Sequence, residues 1–182
     1  MRPIFKNRAR GVIKALALAL LAPTVAFAMT SAPAARKPVD AAFFTGEWFE
    51  IARTANDYQK DCQAPTYLFQ ATRSRTVDLT LTCRKGSPSG PAQAMHGAVR
   101  VPQDQARTEF KVSALGGLYS MDYRVLDIAA DDSWSILATT GGDYVWLLSR
   151  APAMDSALRG HILSDIQAMG YDLSKIVLPR QA

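Results

Sequence analysis

Apolar and polar residues alternate with a period of two in short runs separated by turn residues, and the 3.6-residue period of a helix shows only near the end. The alternation predicts strands at Gly46–Thr54, Pro65–Thr72, Thr76–Arg84, Ala92–Val101, Arg107–Ala114, Tyr119–Ile128, Ser133–Thr140 and Tyr144–Ser149. Punctuation falls between them: Arg73-Ser74-Arg75, Gly86-Ser87-Pro88-Ser89-Gly90, Gly116-Gly117 and Gly141-Gly142-Asp143. Over Met154–Met169 the apolar residues Leu158, Ile162, Ile166 and Met169 return at helical spacing, with Asp155 or a neighbour to start the helix and Gly170 to stop it. A last short strand follows at Lys175–Leu178. Consecutive short strands with tight turns make an antiparallel meander, and a meander of eight can close into a barrel wide enough for one small ligand.

Two segments about a hundred residues apart give that barrel a floor. In Gly46-Glu47-Trp48-Phe49-Glu50-Ile51-Ala52-Arg53, a glycine lets the chain turn tightly beside a tryptophan whose ring can plug one end. In Tyr144-Val145-Trp146-Leu147-Leu148-Ser149-Arg150, an arginine ends a strand where its guanidinium can lie on that indole and donate to nearby carbonyls. Taken singly, Trp48 could be an ordinary core aromatic and Arg150 a solvated strand end; the pairing shifts that balance.

On these two segments, and on Met169-Gly170-Tyr171-Asp172-Leu173-Ser174-Lys175-Ile176, the sequence resembles the lipocalins, in the branch of bacterial outer-membrane lipocalins, plant temperature-induced lipocalins and apolipoprotein D. The similarity runs from about Val39 to Leu178, and the family's usual Thr-Asp-Tyr motif is degenerate, its nearest match being Asp131-Asp132-Ser133-Trp134. It implies an all-β fold, an eight-stranded up-and-down barrel with one C-terminal helix outside. It also implies a calyx for a fatty acid or lysophospholipid, in which Tyr123 and Trp146 match pocket aromatics of that branch.

The net charge of +5 points toward nucleic acid until the charges are located. Five of the 21 basic residues and none of the 16 acidic ones precede Met29, so the remainder is neutral, and no basic patch for phosphates is indicated. Those first 28 residues read as a secretory signal: Arg2, Lys6, Arg8, Arg10 and Lys14, then an apolar run from Ala15 to Phe27, with small Ala26 and Ala28 at the cut. The run is shorter than the ~20 residues of a membrane span and contains Pro23. No Cys follows the cut, so a lipid anchor is not expected. Residues 29–39 are small and polar enough for a flexible leader, and folded structure is expected from Asp40 to the end. The expected product is one exported, periplasmic domain, a monomer or homodimer, in contact at most with a membrane surface.

Cys62 and Cys83 are the only cysteines, and an even count in an oxidising compartment favours a disulfide. The second and third strands, paired through their turn, bring Cys83 close to Cys62; a catalytic thiol or metal ligand is the competing role. Parity places Glu50 and Ala52 inside with Trp48, and Tyr144, Trp146 and Leu148 inside on the last barrel strand. Tyr67, Phe69, Phe110, Tyr123 and Trp134 complete the expected ligand-contacting set. Glu50 would need Arg53, Arg124 or a tyrosine hydroxyl to be buried as an anion, and it either orients a ligand's head or serves structure alone. His96 and His161 are lone histidines, a poor basis for haem or another metal, and no cofactor is expected. No nucleophile–base set stands out in the motifs, so an enzyme is not expected. Carriage or storage of a small hydrophobic molecule leads. The alternative is a secreted protein-binding or inhibitor barrel, using an apolar patch such as Leu115-Gly116-Gly117-Leu118-Tyr119.

Overall fold

The computed structural model describes residues 31–72, 76–100 and 107–181. The signal-like segment and the Arg73-Ser74-Arg75 turn therefore lie outside the described residues, as does Val101. Nine strands form one sheet among the described residues: β1 Gly46–Thr54, β2 Cys62–Ala71, β3 Thr76–Lys85, β4 Ala92–Arg100, β5 Glu109–Ala114, β6 Tyr119–Ile128, β7 Trp134–Thr139, β8 Val145–Ser149 and β9 Ile176–Val177. Each of β2 to β7 pairs antiparallel with the next, and β1 pairs with both β8 and β2, which closes an eight-stranded barrel. The short β9 lies outside that circuit, on the far end of β1 through Arg53↔Val177 and Thr54↔Ile176.

Helix α1, Ser156–Ala168, begins at Asp155, whose carboxylate accepts from the Leu158 amide at 2.9 Å. It buries Ile162 and Ile166 against the outside of the barrel while Leu158 stays exposed. A closed wall has two faces to cover, and the apolar residues form two separate clusters accordingly. Inside, Val39, Phe43, Phe44, Trp48, Phe69 and Phe110 fill the floor end. Outside, Ile51, Ala52, Leu126, Ile136, Ala138 and Leu147 pack beneath α1.

The floor is sealed by side chains from both ends of the barrel circuit. Gly46 turns into β1 at φ +73°, a conformation that favours glycine. The Trp48 indole donates to the Phe43 carbonyl at 3.0 Å, and the Arg150 guanidinium carbon lies 3.7 Å from the centre of the Trp48 ring. Arg150 also donates to the carbonyls of Thr45 at 2.8 Å, Glu47 at 3.0 Å and Ala42 at 3.0 Å.

Three expectations change here. The bond ladder between β1 and β8 shifts register between Glu50 and Ala52. This bulge breaks strict alternation, so Ala52 faces α1 and Arg53 takes the inward side beside Glu50. Trp134 likewise packs in the outer cluster, because Leu137, three residues on along β7, is the inward one. Finally, Ser31–Val39 is strapped to the wall. Its amides at Ala32 and Arg36 donate to the carbonyls of Thr140 and Leu126, both at 2.8 Å, Arg124 binds the carbonyls of Ala32 and Pro33, and Arg36 pairs with Asp127 at 3.2 Å. Small, polar residues suggest a flexible leader at 29–39, but backbone hydrogen bonds and an ion pair hold its described part, 31–39.

Cys62 and Cys83 form a disulfide, with Cα atoms 5.3 Å apart and a separation of 21 positions in sequence. By the loop it closes, its removal should cost roughly 3 kcal/mol, read as a fall in urea midpoint for Cys62→Ser/Cys83→Ser, with a steeper slope as the denatured chain expands. Arg150→Ala should cost about 2 kcal/mol, and Arg150→Lys should recover less than half of it, because an ammonium cannot stack and bridge several carbonyls together. Equal stability of Arg150→Ala and wild type would show that the floor does not depend on the guanidinium.

Candidate ligand-binding site

Above the aromatic floor the barrel encloses a cavity of about 340 Å³, within the range that small-molecule sites occupy. Period-two geometry supplies its wall: Phe110, Val112 and Ala114 from β5, Tyr119, Met121 and Tyr123 from β6, Leu79 and Leu81 from β3. Phe110 and Tyr123 stack with ring centres 5.6 Å apart, and Tyr123 meets Trp146 at 5.6 Å. At Gly97 on β4 a Cβ would sit 3.0 Å from the Ser113 carbonyl oxygen, so bare backbone forms that part of the wall.

The strand directions fix which end is open. β1 climbs away from Trp48, and the loop after it folds back over the cavity, where Asn56, Tyr58 and Gln59 line the mouth. Tyr58 and Tyr119 meet edge to face at 5.7 Å, while Leu115 and Leu118 on the β5–β6 connection are 73% and 92% exposed. The disulfide, joining the start of β2 to β3 near its end, ties this same rim.

One polar cluster interrupts the apolar lining. Glu50 is fully buried and accepts from Arg53 Nη1 at 2.7 Å, Gln59 Nε2 at 2.6 Å and the Tyr67 hydroxyl at 2.5 Å. Arg53 donates its second terminal nitrogen to the Gln59 carbonyl at 2.8 Å. Gln59 Oε1 accepts from Asn56 at 3.0 Å and from the Trp146 indole at 3.2 Å. Gln59 thus stitches the mouth loop to β1, β2 and β8 at once. Burial pushes the Glu50 carboxyl above its ordinary value, against the pull of Arg53, Tyr67 and Gln59. Burial first and the Glu50 charge second hold the Tyr67 hydroxyl well above the usual phenol range.

Of the residues singled out from sequence, Tyr67, Phe69, Phe110, Tyr123, Tyr144 and Trp146 line this one cavity. Glu50 is inside but stands behind Gln59 and Tyr67; Ala52 and Trp134 are outside. Arg124 does not reach Glu50, being held on the outer surface by Glu109 and the N-terminal strap. His96 reaches the cavity rim, but the register pairs it with Thr80, opposite in parity to Leu79 and Leu81, and its Nδ1 lies 3.1 Å from Thr80 Oγ1. Among the described residues no three His, Cys, Asp or Glu side chains gather to hold a metal. Sequence reading missed Asn56 and Gln59, since a polar loop after a strand carries no sign of folding inward. Leu79, Leu81 and Met121 were available from parity once the neighbouring strands were in register.

With the barrel, floor and calyx in place, the chain belongs to the lipocalin-like domain family, whose profile matches residues 39–181. It is 27% identical over 145 residues to the outer membrane lipoprotein Blc of Escherichia coli, covering 78% of this chain and 79% of that one. The Blc protein of Citrobacter freundii is 24% identical over 144 residues, with the same coverage of 78% and 79%. Solved structures share the fold at lower identity. The cockroach allergen Per a 4 matches with TM-score 0.63 at 17% identity, over 85% of this chain and 97% of that one. Insecticyanin of the tobacco hornworm Manduca sexta matches with TM-score 0.63 at 14% identity, over 83% and 86%.

A carboxyl whose pKa is raised on folding keeps its proton to higher pH than it does in the unfolded chain. Its contribution to stability is therefore largest in acid and is lost as pH rises from 4.5 through the folded value. Measured by urea unfolding between about pH 4 and 8, the stability of wild type relative to Glu50→Gln should fall with rising pH. A difference independent of pH would show that Glu50 titrates at its ordinary value.

Proposed function

We propose that this protein binds and carries or stores an elongated hydrophobic molecule, an acyl amphiphile of the fatty acid or lysophospholipid kind, in the barrel calyx. The observation that carries this reading is the cavity itself: closed below by Trp48 and the two phenylalanines before it, walled by Phe69, Phe110, Tyr123 and Trp146, and open only at the rim among the described residues. Packed side chains would have filled such a space if the interior served stability alone. Tyr67 and Tyr144 join the four wall residues as the proposed contacts, with Gln59 and Asn56 in addition. The Blc relatives, outer membrane lipoproteins by name, support an exported, envelope setting, reached through the signal-like first 28 residues. No helix among the described residues is long and apolar enough to cross a membrane.

A protein-binding barrel is the second reading, favoured by exposed Leu115 and Leu118 beside the mouth. Native mass spectrometry of the purified protein, with denaturing extraction of whatever co-purifies, separates the two. An acyl lipid released in stoichiometric amount supports carriage; an empty barrel that also refuses added lipid supports the protein-binding role. Val112→Trp places a large ring in the cavity without uncovering the floor. It should weaken binding of a fluorescent acyl probe by at least about tenfold with the circular dichroism spectrum and urea midpoint nearly unchanged, and undiminished binding would place the lipid elsewhere.

A further inference from the structure

The cavity wall is rich in hydrogen-bonding groups toward its mouth and yet, among the described residues, offers no free cation. Among the described residues that line it there is neither lysine nor arginine, and the one histidine is engaged on the outer face with Thr80. The guanidinium that comes nearest, Arg53, lies behind the lining with Nη1 on Glu50 and Nη2 on the Gln59 carbonyl. The polar groups that do face the space are neutral: Asn56, Gln59, Tyr58, Tyr119, Tyr123 and Tyr144. Tyr123 has no hydrogen-bond partner among the described residues, although its ring is held by Phe110 and Trp146. A charged head buried here would lose hydration with nothing opposite to replace it, and an anion would in addition approach the Glu50 carboxylate side of the polar cluster. An uncharged head loses much less and finds a hydroxyl waiting.

We propose that the calyx selects acyl ligands whose polar end is uncharged, an amide, alcohol or ester that hydrogen-bonds the Tyr123 hydroxyl, over free carboxylates of the same chain length. This rests on the carrier reading for the acyl chain and departs from it at the head group, replacing the carboxylate of a fatty acid or the phosphate of a lysophospholipid with an uncharged end. The same wall that suits the chain thereby rejects the most abundant simple acid of that chain, except in the form that carries a proton.

The test is a calorimetric titration of the delipidated protein with lauramide, laurate and dodecylammonium, which share a chain and differ in charge. At pH 8 lauramide should bind at least about tenfold tighter than either ion. Lowering the pH should leave lauramide unchanged and strengthen laurate by up to about tenfold per unit, until its carboxyl is neutral. Tyr123→Phe should weaken lauramide about fivefold and leave a purely hydrocarbon probe unaffected. Laurate matching lauramide at pH 8 would overturn the selection while leaving carriage intact, and so would tighter binding of dodecylammonium. An unchanged lauramide affinity in Tyr123→Phe would remove the hydroxyl as partner and overturn that assignment. Failure of all three ligands and of the hydrocarbon probe to bind would overturn the carrier reading itself.

Discussion

Everything in this molecule follows from β1 pairing on both sides. A sheet that ends in free edges can cover one face and leave the other to solvent, but a sheet whose first strand bonds to the second and the eighth has an inside that must be filled or sealed. β1 also carries the means of sealing it. Its lower half brings Trp48 under Arg150, and its upper half brings Glu50 and Arg53 to the polar cluster that pulls the mouth loop inward. The bulge between Glu50 and Ala52 is what brings Arg53 to the same inward side as Trp48 and Glu50, since it resets which side chains face in.

The polar cluster is an expensive arrangement that the fold makes affordable by completeness. A buried carboxylate facing only apolar groups would be untenable. Here Glu50 has a guanidinium, an amide and a phenol, and the amide is in turn satisfied by Asn56 and Trp146. Only Arg53 Nε in this group lacks a partner. A cluster with all but one of its buried polar atoms satisfied fixes the geometry of its members, which suits a loop that must hold a defined shape over an open cavity.

Much of this was legible in the sequence because alternation and turn chemistry act locally. β1 and β6 have the limits that alternation gave, and α1 starts beside Asp155 as its periodicity required. Trp48 and Arg150 were legible as a pair because few roles need an aromatic ring and a guanidinium at strand ends a hundred residues apart. Reading failed where the cause was not local. Ala52 was assigned inward by counting through a bulge that only the β8 register creates. Trp134 is expected around the calyx as one of the aromatics, although strand parity sends it under the helix. The strap at Ser31–Val39 is held by Leu126, Asp127 and Thr140, none of which its own composition could announce.

The wall of the barrel is one residue thick, and its two faces belong to different clusters. Inward positions such as Val112, Met121 and Leu137 meet the cavity, while Ile136, Ala138 and Leu147 meet α1 and never see it. Substitutions without shared partners act nearly independently, so the lining can drift in size and polarity while the outer face keeps the fold standing. That division gives the architecture unusual evolutionary freedom: ligand preference can change residue by residue without renegotiating the scaffold, as befits a shape still recognisable at 14% identity.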